Sequence, residues 1–175
     1  MKCFLQACLG IVIIGLPAVA QKYRSPEVMV SKFGEDLGML DREREKLAKN
    51  IVIYAGNRVA KEEREGHSLM IARRLIGLSL HLSPKNTAAV ALDRRLSAGE
   101  IPPKRDREYQ DVTLSEVLLE QSRTLRQGSQ QDQLLADCLI EIAAMVSPQH
   151  KAAVRAMEIQ KIQRGPVKWE QFTGD

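Results

Sequence analysis

The sequence contains one eight-residue pattern twice, Ser-Pro-x-x-x-Ala-Ala-Val, each time directly after an apolar run. The first copy starts at Ser83 and the second at Ser147. When the prolines of the two copies are aligned, at an offset of 148 − 84 = 64, eight of the 23 residues from 68 to 90 are identical. A chain that repeats a unit in this way is expected to build its fold from two similar pieces.

The residue composition and the spacing of the apolar residues indicate that these pieces are helical. The chain is rich in Ala, Leu, Glu, Lys, Arg and Gln, and aromatic residues make up only 4% of its 175 residues. These are strong helix formers, whereas strands favour aromatic residues. Leu40, Leu47, Ile51 and Val59 recur at the spacing of an amphipathic helix. The sequence therefore predicts an all-α fold.

The repeated unit is predicted to be a helix, a second helix, a proline turn and a third helix. A residue before proline is disfavoured in the α region, so each Ser-Pro ends a helix. The two halves are expected at about 40–98 and 112–165, joined by a charged linker at 99–111. We also expect a short helix from Ser25 to about Phe33, a helix capped by Ser68, and a capping box that starts another helix with Thr113 and Glu116.

The second helix of each unit resembles that of the tetratricopeptide repeat. That family places a small residue, a bulky one four later, a small one three later and a proline five further on. This sequence has that pattern at Ala72, Ile76, Ser79 and Pro84, and again at Ala136, Ile140, Ala143 and Pro148. The small residues let two helices cross closely. The first helix of each unit departs from the family's pattern, as Gly56 stands where a bulky residue is usual.

The resemblance implies an antiparallel helix-hairpin repeat, that is, a TPR-like α-solenoid of two degenerate repeat units with capping helices. Proteins of this family typically hold a partner peptide or protein in a concave groove. The resemblance thus implies a protein partner for this chain.

The first twenty residues look like a secretory signal peptide. Lys2 precedes the apolar run Cys3–Leu16, and Ala18 and Ala20 are the small residues that a signal peptidase reads before Gln21. We therefore expect cleavage before Gln21, export to the bacterial periplasm or secretion, and no stable membrane insertion afterwards. Retention of the apolar run as an uncleaved anchor is the alternative. The domain of interest is then 21–175.

Export leaves Cys138 as the only cysteine, and we expect it to be a buried hydrophobe without a disulfide partner. Without Lys2 the chain has 25 basic and 22 acidic residues, a net charge of 25 − 22 = +3. The charges alternate in sign, and no basic stripe carries aromatic residues, so nucleic acid is not an expected partner.

A search for catalytic or metal-binding patterns finds none, and no cofactor is expected. His67, His81 and His150 lack partners at metal-ligand spacing. We expect His81 to sit at a helix C-terminus, where positive charge is favourable. Asp137 and Glu141, four residues apart, could form an acid/base pair, but we expect them on the solvated edge of a helix.

Four arginines are candidates for binding an acidic partner: Arg73, Arg74, Arg94 and Arg95. The charged connection from Pro102 to Gln110 is a second candidate, because loops often carry recognition. The hypothesis we prefer is a non-enzymatic adaptor or scaffold of the cell envelope. A purely structural module of an envelope assembly and an enzyme with an unrecognised site remain open, and the sequence leaves the oligomeric state undetermined.

Overall fold

The computed structural model describes residues 22–105 and 110–174, and these residues form seven α-helices and no strand. The all-α prediction is confirmed. The helices are α1 (Asp41–Lys61), α2 (Gly66–Leu82), α3 (Thr87–Ser97), α4 (Asp111–Leu125), α5 (Gln130–Val146), α6 (Lys151–Arg164) and α7 (Glu170–Thr173).

The six long helices form two three-helix units, α1–α3 and α4–α6. In each unit the first two helices pack as a hairpin and the third packs against both. The first and last residues of α5 align with those of α2 at the offset between Pro84 and Pro148, and the start of α6 aligns in the same way with the start of α3. The offset found in the sequence is therefore also the offset between the second helices of the two units and between the starts of their third helices.

Two predicted helix starts are wrong. Ser68 does not cap α2, which begins at Gly66, and its hydroxyl donates to the Glu65 carbonyl inside the first turn. The helix α4 begins at Asp111, so the Thr113–Glu116 pair lies within the helix and forms no capping box. Serine and threonine are common in caps but are also tolerated inside a helix, so the local pattern does not fix where the helix begins.

Two other helices begin with side-chain caps. The amide oxygen of Asn86 accepts from the backbone N–H groups of Ala88 and Ala89 at the start of α3. Ser129 and Asp132 form a reciprocal capping box at the start of α5. These contacts satisfy N–H groups that have no partner inside the helix.

A buried hydroxyl joins the first two helices of each unit. Ser79 of α2 donates to the Ala48 carbonyl of α1, at 3.1 Å, and accepts from Asn86. In the second unit Ser115 of α4 donates to the Ala143 carbonyl of α5, at 2.8 Å, and also contacts Nδ1 of His150. The hydroxyl belongs to the second helix in the first unit and to the first helix in the second unit. Asn86 and His150, which occupy equivalent positions in the two units, both contact it.

The close-packed positions of the predicted pattern are buried. Ala72, Ile76 and Ser79 of α2 are buried, as are Ala136, Ile140 and Ala143 of α5. The small positions carry only a methyl group (alanine) or a hydroxymethyl group (serine). Neighbouring helices can therefore approach closely there. Cys138 is buried as well, and burial raises the pKa of its thiol well above the ordinary value.

The two units are arranged antiparallel. Gly38, just before α1, donates to Asp132 at the start of α5, and Arg58 near the end of α1 donates to the carbonyl of Val146 at the end of α5. The helix α1 thus runs parallel to α5 and antiparallel to α4. Successive units of a solenoid differ by a small rotation, which keeps equivalent helices nearly parallel. These contacts therefore give no support to solenoid stacking.

The segment before α1 is not helical, which corrects the predicted helix from Ser25 to Phe33. It runs over the molecule without regular structure and makes long-range contacts. Tyr23 donates to Asp93 at 2.8 Å, and Phe33 stacks on Phe172, with 6.1 Å between ring centroids. The backbone N–H of Glu27 donates to the carbonyl of Thr173. Both ends of the described chain therefore meet beside α2.

Candidate functional site

A groove lies between α1 and α4 and has a volume of about 440 Å³. Leu47 of α1 and Leu114, Leu118 and Leu125 of α4 contribute buried apolar surface to it. Met39 lies at the groove, and Val117, which is 42% exposed, also lines it. The groove forms because the helix backbones of the two units come closest at α2 and α5, whereas those of α1 and α4 stand further apart.

Polar side chains line the groove beside the leucines. Asn50 of α1 and Gln121 and Thr124 of α4 are uncharged, whereas Glu43 and Lys46 carry opposite charges. The Oε1 atom of Gln121 is buried and accepts no hydrogen bond from the residues that the structure describes. A buried acceptor without a partner is costly, so an N–H group that reached this oxygen would be stabilising.

Polar contacts connect the two units beyond the groove. Tyr54 donates to Asp111 at 2.7 Å, and Arg58 donates to both the Tyr54 hydroxyl and the Val146 carbonyl. Burial, followed by the hydrogen bond to Asp111, raises the pKa of Tyr54, which keeps the phenol protonated. The guanidinium of Arg58 lies where a helix C-terminus favours a cation. These contacts fix the spacing of α1 and α4.

A second groove, between α1 and α3, holds part of the linker between the units. Asn57 of α1 donates from its amide to the Arg105 carbonyl at 3.1 Å and accepts from the Arg105 N–H at 2.8 Å. Pro102 is buried. Residues 100–105 are named the Pro-Pro segment. The space that remains in the groove beside this segment is about 120 Å³.

The predicted arginines divide into two pairs. Arg73 and Arg74 lie on α2 and contact the chain's own C-terminal segment: Arg73 donates to the Thr173 carbonyl at 3.0 Å, and the Arg74 guanidinium lies 5.2 Å from the Trp169 ring centroid. Burial lowers the pKa of Arg74, and Glu141 and Glu170 partly offset this effect. These contacts give both side chains a structural role.

Arg94 and Arg95 are exposed near the end of α3. Arg95 lines the remaining space beside the Pro-Pro segment and lies 4.0 Å from Glu100. The structure therefore does not bring the four arginines together on one surface. Capture of an acidic partner by Arg94 and Arg95 stays a prediction.

The expected exposure of Asp137 and Glu141 is wrong, since both are buried. Glu141, at 6% exposure, accepts from the Val167 N–H at 2.6 Å and from the Trp169 indole N–H at 2.8 Å. Asp137 pairs with Arg126 and Arg164. The two carboxylates hold the C-terminal segment and α6 against α5. The periodicity of one helix could not reveal this, because the donors to Glu141 lie in a segment that is distant along the chain.

The expectation of a favourable positive charge on His81 is also wrong. The side chain is 2% exposed, and its Nδ1 accepts from the backbone N–H of Lys32 at 3.1 Å. Its ring meets Phe172 edge-on, at 5.3 Å. Burial, followed by the charge of Lys32, lowers the pKa of His81 from 6.5 to about 4. The neutral imidazole thus joins the N-terminal and C-terminal segments to α2.

Acidification is expected to destabilise the fold through His81. The unfolded chain takes up a proton near pH 6.5, whereas folded His81 stays neutral down to about pH 4. The unfolded state therefore binds more protons in this window, and the free energy of unfolding decreases by up to about 3 kcal/mol as the pH falls through it. Urea unfolding of the protein and of His81→Gln, at several pH values across the window, measures this contribution as a difference.

The matched control is His67→Gln, because His67 is exposed. This variant should keep the pH dependence of the unmodified protein. A His81→Gln protein whose stability falls with pH as steeply as that of the unmodified protein would contradict the assignment.

The described residues contain no group of three or more His, Cys, Asp or Glu side chains that could hold a metal ion. In the same part of the chain, no helix is both long enough and apolar enough to cross a membrane. The signal-peptide residues Ala18, Ala20 and Gln21 lie outside the described residues, as do 106–109 of the predicted recognition loop.

Comparison of the chain with protein-family models, with curated proteins and with solved structures finds no match.

Proposed function

We propose that this protein is a non-enzymatic adaptor or scaffold that holds a protein or peptide partner in the α1–α4 groove. The observation that carries the proposal is the groove itself: an open strip with buried leucines at its base and uncharged amides beside them. Such a combination suits a protein segment, whose apolar side chains bury against the leucines while its backbone pairs with Asn50 and Gln121.

A purely structural module is the second candidate and is less well supported. Such a module is expected to cover its groove with its own terminal segments. In the described residues both terminal segments pack on α2, where Phe172 contacts the His81 ring and Phe33, and Lys32 donates to His81. Of these segments only Gly38 and Met39 line the α1–α4 groove, which stays open. The open groove favours a binding role.

The repeat origin of the fold is part of the proposal. We infer that α1–α3 and α4–α6 are degenerate copies of one TPR-like unit. The offset that the sequence pattern and the helix boundaries share supports this inference. The antiparallel arrangement of the copies means that the proposed binding surface is a groove between two units rather than the concave face of a long stack.

Export to the periplasm or secretion remains a proposal that rests on the first twenty residues. A mature chain beginning at Gln21 is the expected result when the N-terminus of the protein isolated from its native cells is sequenced. A membrane-bound species that retains Met1 would overturn this part of the proposal and leave the groove unaffected.

The groove is tested by crosslinking from two positions. A photoreactive amino acid replaces Val117 in the groove or, as the control, Ile162 on α6, which is 85% exposed. The partner should form an adduct from position 117 in native cells and none from position 162. Its affinity for the purified protein should then fall about tenfold or more with Val117→Asp, since truncation or charge at a central contact is costly.

Ile162→Asp should leave that affinity unchanged. A partner whose affinity is unaffected by both Val117→Asp and Gln121→Ala, with the fold intact by circular dichroism, would exclude the α1–α4 groove as the binding surface.

A further inference from the structure

Each three-helix unit has a groove between its first and third helices, and the third helix lines the two grooves from equivalent positions. Ala88, Leu92 and Arg95 of α3 line the α1–α3 groove. Their equivalents in the second unit, Ala152, Ala156 and Ile159 of α6, line a groove between α4 and α6. The chain segment that occupies the first groove therefore indicates what kind of segment the second groove can bind.

The α1–α3 groove is occupied by the chain itself. After α3 the chain turns back along α1, where Arg64 donates to the Glu100 carbonyl at 3.0 Å and Asn57 pairs with both backbone groups of Arg105. The Pro-Pro segment between these two contacts has no regular secondary structure, and Pro102 is buried. A groove of this kind therefore accommodates an irregular, proline-containing segment.

The α4–α6 groove is open because the chain leaves α6 in another direction. Gly165, at φ +83°, ends α6, and the next residues run to Glu141, which accepts from Val167 and Trp169. The groove has a volume of about 280 Å³, against about 120 Å³ beside the Pro-Pro segment. Ala156 occupies the position in α6 that Leu92 occupies in α3, and its smaller side chain leaves more room in the α4–α6 groove.

The lining of the open groove also indicates the charge of its occupant. Ile159 stands where Arg95 stands in the first groove, and the α4 side carries Arg123 and Arg126. Arg126 is engaged by the buried Asp137, whereas Arg123 pairs only with exposed Glu120 of its own helix among the described residues. An exposed pair of this kind contributes little and can exchange for another carboxylate.

We propose that the α4–α6 groove binds an extended, proline-containing segment of a partner protein that carries an acidic residue. The apolar part of the segment packs on Ala152, Ala156 and Ile159, as Pro102 packs in the first groove, and its carboxylate pairs with Arg123. Proline suits such a site because its restricted backbone reduces the entropy lost on binding. This second surface is separate from the α1–α4 groove and does not depend on it.

The probe is a capped synthetic peptide, Glu-Ile-Pro-Pro-Asp-Glu, which copies residues 100–103 and replaces the basic Lys104 and Arg105 by acidic residues. Titration into the ¹⁵N-labelled full mature chain should give saturable shifts of backbone signals in Ala152, Ala156 and Ile159. Ala156→Leu restores the bulk of Leu92 and should weaken binding about tenfold. Arg123→Gln should weaken it about two- to fivefold.

The control is Arg94→Gln, which removes an exposed arginine from the other unit and should leave the affinity unchanged. Shifts that map to α1 and α3, affinity that Ala156→Leu does not alter, or an absence of saturable binding would overturn the proposal. Tighter binding of the chain's own Glu-Ile-Pro-Pro-Lys-Arg would also overturn it, since a second copy would then be the better occupant. None of these results bears on crosslinking from position 117.

Discussion

Replacing Glu141 with glutamine is expected to lower the free energy of unfolding by about 2–3 kcal/mol. The carboxylate is buried and accepts hydrogen bonds from the Val167 N–H and the Trp169 indole N–H. Glutamine has the same size but presents an NH₂ group, so one of these buried donors loses its acceptor. Urea unfolding followed by circular dichroism measures the change, and Trp169 fluorescence reports on the C-terminal segment.

Glu158→Gln is the matched control, because Glu158 is exposed on α6. Its effect should lie within about 0.5 kcal/mol of zero, as for most surface substitutions. Equal, small effects of both substitutions would mean that the C-terminal segment does not depend on Glu141.

The second large effect is expected for Gly77→Ala in α2. A Cβ atom at this position would overlap the carbonyl oxygen of Phe172. Because that atom belongs to the backbone, the C-terminal segment would have to move away, and such overpacking costs about 1–3 kcal/mol. Thermal or urea unfolding measures the loss, which should be accompanied by a change in Trp169 fluorescence.

Gly56→Ala provides a control of the same chemistry in a neighbouring helix. A Cβ atom there would meet a Leu92 methyl group at 3.6 Å, which is ordinary contact. Alanine is also the better helix former, so this variant should be stabilised by about 0.5–1 kcal/mol. Stabilisation by both substitutions would show that the segment does not pack closely on Gly77.

The sequence predicted the helices well where their apolar periodicity is strong. The end of α2 before Ser83-Pro84 and the end of α5 before Ser147-Pro148 both follow from the proline, which disfavours the α region for the residue before it. Helix starts were harder, because Ser68 and Thr113 are common in caps but are also tolerated inside a helix. Whether such a residue caps depends on where neighbouring segments allow the helix to begin.

The grooves and the roles of the charged residues could not be read from one sequence. Arg73 and Arg74 form a basic pair that equally suits an acidic partner or an internal contact. Their contacts with Thr173 and Trp169 depend on the path of residues 165–174 across α2 and α5. Trp169 and Phe172 carried no periodic signal, so their burial was not predicted.

By itself, the sequence determined the helical class, the offset between the two halves and the buried small residues such as Ala72 and Ala136, because these follow from spacing along the chain. Tertiary structure alone decided that α1 runs antiparallel to α4, that Glu141 and His81 are buried, and that one groove is filled by residues 100–105 while another is open. The physical reason is that helix periodicity depends on neighbours three or four residues apart. The burial of a charge or the filling of a groove depends instead on segments that are distant along the chain, such as Gly38 and Asp132.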